Sequence, residues 1–324
     1  MRALVIGHFS TIGDIESLDY VRRVLETEGI AYDILPYNPK YVPFIDGSVL
    51  LRDVSPAAYT HLIAVCGPLW PEFLAKHGIA LDRFSHCTRI GLNLTMIRPL
   101  EDWDPFHLLI ERDSGRTSRP DITFLEETRR VPVAGLCTIA RQREYGSRQR
   151  HREAIGLMKK VIRDRKLATV EIDTRWPEDR NSGSLGSPEQ VISVIGKMDV
   201  VLTNRLHGMV YTLKAGVPAL AIDPVEGGDK VTAQAQVLGW PAVSTVAAAS
   251  PEWIDRTLDW CLSKEGRDAA RLVANAARSR LQPVAEQFRE ALHAKFDDRP
   301  VSPAQRSLGS LARGLLRTFR RHPA

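Results

Sequence analysis

The sequence predicts an α/β protein: two doubly wound parallel-sheet domains facing a cleft, then a C-terminal helix and a basic amphipathic tail. Three observations point there. The 324 residues exceed the usual span of one domain. Short apolar runs bounded by Gly, Pro, Asp or Asn alternate with stretches of helical period, the pattern of buried parallel strands covered by helices. This alternation stops at the polar stretch 111–130 and then begins again. The expected plan is therefore a first domain over 1–130, a second over 131–264, a helix over 265–299 and a tail over 300–324.

Taken in order, RALVIG (2–7) is a buried strand ending in glycine, and Ile15, Leu18, Val21, Val24 and Leu25 then recur at helical spacing from Asp14 to Glu28. Apolar runs at 31–35, 60–67, 89–94 and 106–111 supply further strands. VPVAGLCTIA (131–140) restarts the cycle, with a helix over 148–166 and a strand over 169–173. Ser187 is the N-cap of the next helix, with Pro188 just inside it. DVVLT (199–203) is a buried strand, RLHGMVYTLKAG (205–216) a helix closed by Gly216, and VPALAID (217–223) another strand. Helices follow over 230–238, 251–262 and 267–296, the last interrupted at Pro283, which lacks the N–H a helix interior needs. Ligands bind outside the carboxyl ends of such strands. The loops that follow strands, and the cleft between the domains, therefore have priority.

The formal charge is +5, yet residues 300–324 hold five arginines and no acid, leaving thirty-nine basic and thirty-nine acidic side chains in the body. A neutral body gives no reason to expect nucleic acid. Helix 151–166 is basic but lacks interleaved aromatics, so its charges read as a solvated face. Cys66, Cys87, Cys137 and Cys261 form no CxxC pair and sit in apolar runs, as buried reduced thiols do, so a cytoplasmic location is expected. The histidines show no ligand spacing with Cys or Asp, so no metal site is expected, and no P-loop is present. Trp240, Trp253 and Trp260 are expected in the core or at the domain interface, and Asp113, after Arg112, in an interdomain salt bridge rather than in catalysis.

Residues 199–223 carry the chemistry. Arg205 and His207 leave a buried strand at the first turn of a helix, where unpaired N–H groups already favour an anion. Arginine adds a fork matched to phosphate or carboxylate, and histidine can carry a proton near neutral pH. Gly208 would let a ligand approach the backbone. The alternative is a surface arginine with a histidine satisfied by a neighbouring carbonyl. Asp14 stands at a helix start, where an aspartate caps more often than it catalyses. Glu226 and Asp229, beside Lys230, would tune that lysine or cap its helix.

TNRLHG (203–208), a helix ending in AGVPALAID, and GGDKV (227–231) together resemble the C-terminal signature of the polysaccharide pyruvyl transferases. The resemblance spans about 1–262, with looser matches at Gly13-Asp14, LIAVCGPL (62–69), Arg112-Asp113-Ser114 and PDITF (120–124). It departs from the family in a longer first loop, GHFSTIGD (7–14), and in Cys66-Gly67-Pro68 where paired glycines are expected.

The resemblance implies a glycosyltransferase-B-like pair of domains that moves the enolpyruvyl group of phosphoenolpyruvate onto two hydroxyls of one sugar as a cyclic ketal. Phosphoenolpyruvate would be the donor substrate with no cofactor or metal, and the acceptor a glycan or lipid-linked oligosaccharide precursor of a cell-surface or exported polysaccharide. Arg205, Lys230 and Arg141 would clamp the donor, with Asn204 and Gly208 beside them. His207 would act as acid, and Asp14, from the other domain, as base. The alternatives are a nucleotide-sugar-dependent glycosyltransferase of the same fold and a non-catalytic binding protein of glycan biosynthesis. In the tail, Leu311, Ala312, Leu315, Leu316 and Phe319 recur at helical spacing among the arginines, so 306–321 is expected either to contact the inner face of a membrane as an interfacial helix or to form an unstructured or dimer-contacting tail.

Overall fold

The computed structural model describes residues 1–293; the expectations for Phe296 and for the tail over 300–324 lie outside them. The chain divides into two compact units, Met1–Arg129 and one that starts at Arg130. Both are mixed α/β with parallel sheets. No helix among the described residues is long and apolar enough to cross a membrane.

In the first unit β1 (Arg2–Gly7) and β2 (Ala31–Pro36) flank α1 (Ile12–Thr27), and β3 (His61–Val65), the two-residue β4 (Pro68–Leu69), α2 (Pro71–Lys76), β5 (Thr88–Leu92), the two-residue β6 (Thr95–Met96) and β7 (Leu108–Ile110) follow. The main sheet runs β2-β1-β3-β5-β7, all parallel. Leu4, Ile6, Leu62 and Ala64 face one side and Ala3, Val5, Ile63 and Val65 the other, so both faces are buried. Each Leu, Ile or Val so covered contributes about 1.5–3 kcal/mol. Thr11 caps α1 in a capping box: its hydroxyl accepts from the Asp14 N–H, and the Asp14 carboxylate accepts from Thr11.

Among the described residues Arg112 and Asp113 find their partners within the first unit, not in the expected salt bridge between domains. Arg112 Nε reaches Asp113 at 3.0 Å, Nη1 reaches Asp121 at 2.9 Å and Nη2 reaches Thr95 at 2.7 Å, all inside the first unit. A guanidinium satisfied on three sides pins the 112–121 loop to the end of β6, which explains a polar stretch that needs no apolar run.

The second unit comprises β8 (Val133–Cys137), α3 (His151–Asp164), β9 (Ala168–Glu171), α4 (Pro188–Ile195), β10 (Val200–Thr203), α5 (Leu206–Lys214), β11 (Ala219–Asp223), α6 (Lys230–Leu238), β12 (Val243–Thr245), α7 (Pro251–Leu262), α8 (Lys264–Arg280) and α9 (Gln282–His293). Its sheet order is β12-β11-β10-β8-β9, again all parallel. Ser187 closes a capping box with Gln190, and Gly239 ends α6 in the left-handed conformation. Trp240 is buried and its indole N–H donates to the Ala219 carbonyl at 2.7 Å. All four cysteines are unpaired and buried. The long C-terminal helix breaks at Leu281, just ahead of Pro283.

In order of sequence the strands of each unit stack as second, first, third, fourth, fifth. The order reverses between the first and third, β1/β3 in one unit and β8/β10 in the other. Connections leave in opposite directions on either side of that point, so a crevice opens at the carboxyl ends.

Candidate functional site

At the β8/β10 reversal of the second unit lies a cavity of about 250 Å³. Thr138, Ile139 and Ala140 line it after β8, Asp173, Arg175 and Ser182 after β9, and Arg205 after β10. A roomier hollow of about 740 Å³ opens in the first unit around Ile97, Arg98, Glu101 and Arg116, but it contains none of the residues that the sequence singles out. The smaller cavity has the position that the topology dictates and an arginine in its wall.

Arg205 is the N-cap residue of α5, and its extended backbone (φ −112°, ψ 138°) turns the chain from strand to helix. Its N–H donates to the Thr203 hydroxyl at 3.0 Å, which fixes the turn. The side chain is 17% exposed, and Nη1 stands 3.7 Å from Asp173 Oδ1. Asp173, only 8% exposed, accepts on its two oxygens from the Arg175 N–H at 3.0 Å, Arg175 Nε at 2.8 Å and Nη2 at 2.6 Å, and the Ser182 N–H at 3.1 Å. Burial opposes its charge. The hydrogen bonds from Arg175 and Ser182 outweigh that and hold the carboxyl well below the usual carboxylate range.

His207 follows in the first turn of α5, exposed, its ring 6.0 Å from that of Tyr211. No side-chain hydrogen bond caps this helix. An exposed imidazole at a helix N-terminus with uncapped N–H groups can meet a substrate without first breaking a contact.

The other expected residues are placed differently. Asn204 is 1% exposed; its amide accepts from the Ile139 N–H at 2.8 Å and donates to the Ile139 carbonyl at 3.0 Å, so it ties the loop after β8 to the end of β10 rather than facing a ligand. Gly208 is buried as well. A Cβ there would lie 2.2 Å from Thr203 Oγ1 and 3.0 Å from Cys137 Sγ, so the glycine serves close packing of helix on strand, not ligand approach.

Lys230 is not in the cavity wall. It opens α6 after its N-cap Asp229, with Nζ 3.8 Å from Glu144 and 5.4 Å from the centre of the Tyr145 ring. There the buried Asp223 at the end of β11 accepts from the N–H groups of Val225, Asp229 and Thr232 and shapes the whole loop. Arg141 is exposed and follows Ala140 of the cavity wall. Asp14, in the first unit, accepts from the Ser10 N–H at 3.0 Å and the Thr11 N–H at 2.8 Å. Burial works against its ionised form, but these donors prevail and lower its pKa, and both are the contacts of a helix cap. Among the described residues no group of three or more His, Cys, Asp or Glu is placed to hold a metal ion.

Residues 141–224 match the family model of the polysaccharide pyruvyl transferases, and this segment contains Arg205, His207, Asp173 and Arg175. No curated protein matches the chain. Similar solved structures include the spinosyn rhamnosyltransferase SpnG complexed with thymidine diphosphate, at 10% identity over 88% of this chain and 100% of that one with a TM-score of 0.31. The ADP-heptose LPS heptosyltransferase II of E. coli is 12% identical over 81% of this chain and 98% of that one, TM-score 0.25. The UDP-GlcNAc 2-epimerase of Methanocaldococcus jannaschii is 9% identical over 86% and 100%, TM-score 0.30. The family match supports a glycan-modifying transferase.

Proposed function

We propose that the chain transfers the enolpyruvyl group of phosphoenolpyruvate to a sugar of a cell-surface or exported glycan precursor, forming a pyruvate ketal. The observation that carries this is Arg205, half-buried in the wall of a cavity at the strand-order reversal with His207 exposed two residues on, inside the segment matched by the family model. The cavity's 250 Å³ falls below the roughly 300–1,000 Å³ of sites for drug-sized ligands. Among the described residues no aromatic ring lines it, so nothing there stacks a nucleotide base. A small, highly charged donor suits it better than a nucleotide sugar.

In the proposed reaction His207 gives a proton to the methylene carbon of phosphoenolpyruvate, and the double-bond electrons form the new C–H bond. C2 becomes oxocarbenium-like and takes the first sugar oxygen, whose proton passes to a base. The C2–O bond to phosphate then breaks with its electrons on phosphate. The second hydroxyl adds to C2, loses its proton and closes the ring. Arg205 and the uncapped N–H groups of α5 hold the phosphate throughout, where fixed donors are most effective. Arg141, exposed and next in sequence to Ala140 of the wall, would serve as a further cation for the bound donor, whereas Lys230 and Asp14 are read as structural.

Incubation with phosphoenolpyruvate and isolated glycan precursors, read by the mass added per acceptor, tests the proposal. One pyruvate ketal per acceptor supports it, and phosphate never released by a folded protein argues against it. Contact of 306–321 with an anionic membrane belongs to the same proposal, and equal liposome flotation with and without 300–324 would remove it.

A further inference from the structure

Arg175 follows the end of β9 by four residues and carries no motif, yet it shares the cavity wall with Arg205. The two guanidinium groups come from loops after different strands and meet at one carboxylate. Asp173 binds Arg175 through Nε and Nη2 and stands 3.7 Å from Nη1 of Arg205. Arg175 Nη1 makes no hydrogen bond among the described residues, and neither does the guanidinium of Arg205. Its own loop is firmly built: the Asn181 amide donates to the carbonyls of Asp173, Arg175 and Leu185, which holds Arg175 at the rim.

We infer that the cavity recognises a donor bearing two separate anionic groups, Arg205 with the first turn of α5 taking the phosphate and Arg175 taking the carboxylate, while Asp173 is the positioning residue for both arginines. This rests on the reading that the cavity holds phosphoenolpyruvate. One ionised aspartate between two arginines leaves a net positive charge, which attracts an anion, and relieves the repulsion that would otherwise drive the two cations apart before it arrives. Both forks are thus oriented in advance, so less ordering is required on binding.

Calorimetric titration of the full chain with phosphoenolpyruvate, and separately with inorganic phosphate, tests this. Arg175→Ala is expected to weaken phosphoenolpyruvate binding about 10- to 100-fold, the loss of a charge-assisted hydrogen-bond pair. Phosphate binding changes little, Arg205→Ala loses both ligands, and Arg175→Lys recovers part of the loss. Asp173→Asn weakens phosphoenolpyruvate too, but less in the Arg175→Ala background, because part of its effect acts through that arginine and only the part through Arg205 remains; fully additive losses would show a merely structural role. Arg175 is more than half exposed, so its variants keep the fold. Wild-type affinity for phosphoenolpyruvate in Arg175→Ala overturns the inference and leaves the proposed function standing. A wild-type protein that binds no phosphoenolpyruvate overturns both.

Discussion

Arg205 and His207 are two residues apart, yet they do different things. The first is half-buried and aimed at a fixed carboxylate, whereas the second is exposed and without a polar partner among the described residues. Replacing His207 with glutamine should therefore abolish turnover while donor affinity, followed by calorimetry, stays near that of wild type. Gly208 is tested by Gly208→Ala: a methyl group 2.2 Å from the Thr203 oxygen forces helix and strand apart and should cost about 1–3 kcal/mol, seen as a lower Tm. Asp173 links the site to pH. Its folded pKa lies below the unfolded value of about 3.9, so its stabilisation is complete above that value and is lost as pH falls through the folded one. Acid unfolding of Asp173→Asn should lack that component.

At the scale of elements, the strands and long helices were legible because period and caps are local signals. Lys230 to Leu238 and Pro251 to Leu262 coincide with α6 and α7, and the helix from Arg267 divides next to Pro283. Short elements were not: α2 has six residues and β12 three, too few to show a period. Arg205 and His207 could be read from the strand-to-helix junction they occupy. Arg175 could not, because its relation to Arg205 depends on β9 lying beside β8 and β8 beside β10, a pairing no local pattern encodes. The capping box of α1 gives its own test. Asp14→Ala removes the carboxylate that accepts from Ser10 and Thr11, and should lower stability by about 1 kcal/mol while kcat is retained. A loss of turnover far beyond the loss of stability would return Asp14 to catalysis.

For the whole molecule, the two units share one strand order, and in the second a cavity lies at the reversal point. That cavity is lined by Arg175 and Arg205 around the buried Asp173, and the proposed donor site is placed there. The surplus of five positive charges lies in 300–324 and leaves the charge of this site as a local property of a few side chains. The most direct test of the central claim is competitive calorimetry of the full chain with phosphoenolpyruvate and a nucleoside diphosphate. The expected result is saturable binding of phosphoenolpyruvate that Arg205→Ala eliminates and that the nucleotide does not displace. Tight nucleotide binding, with phosphoenolpyruvate bound weakly and independently of Arg205, would contradict it.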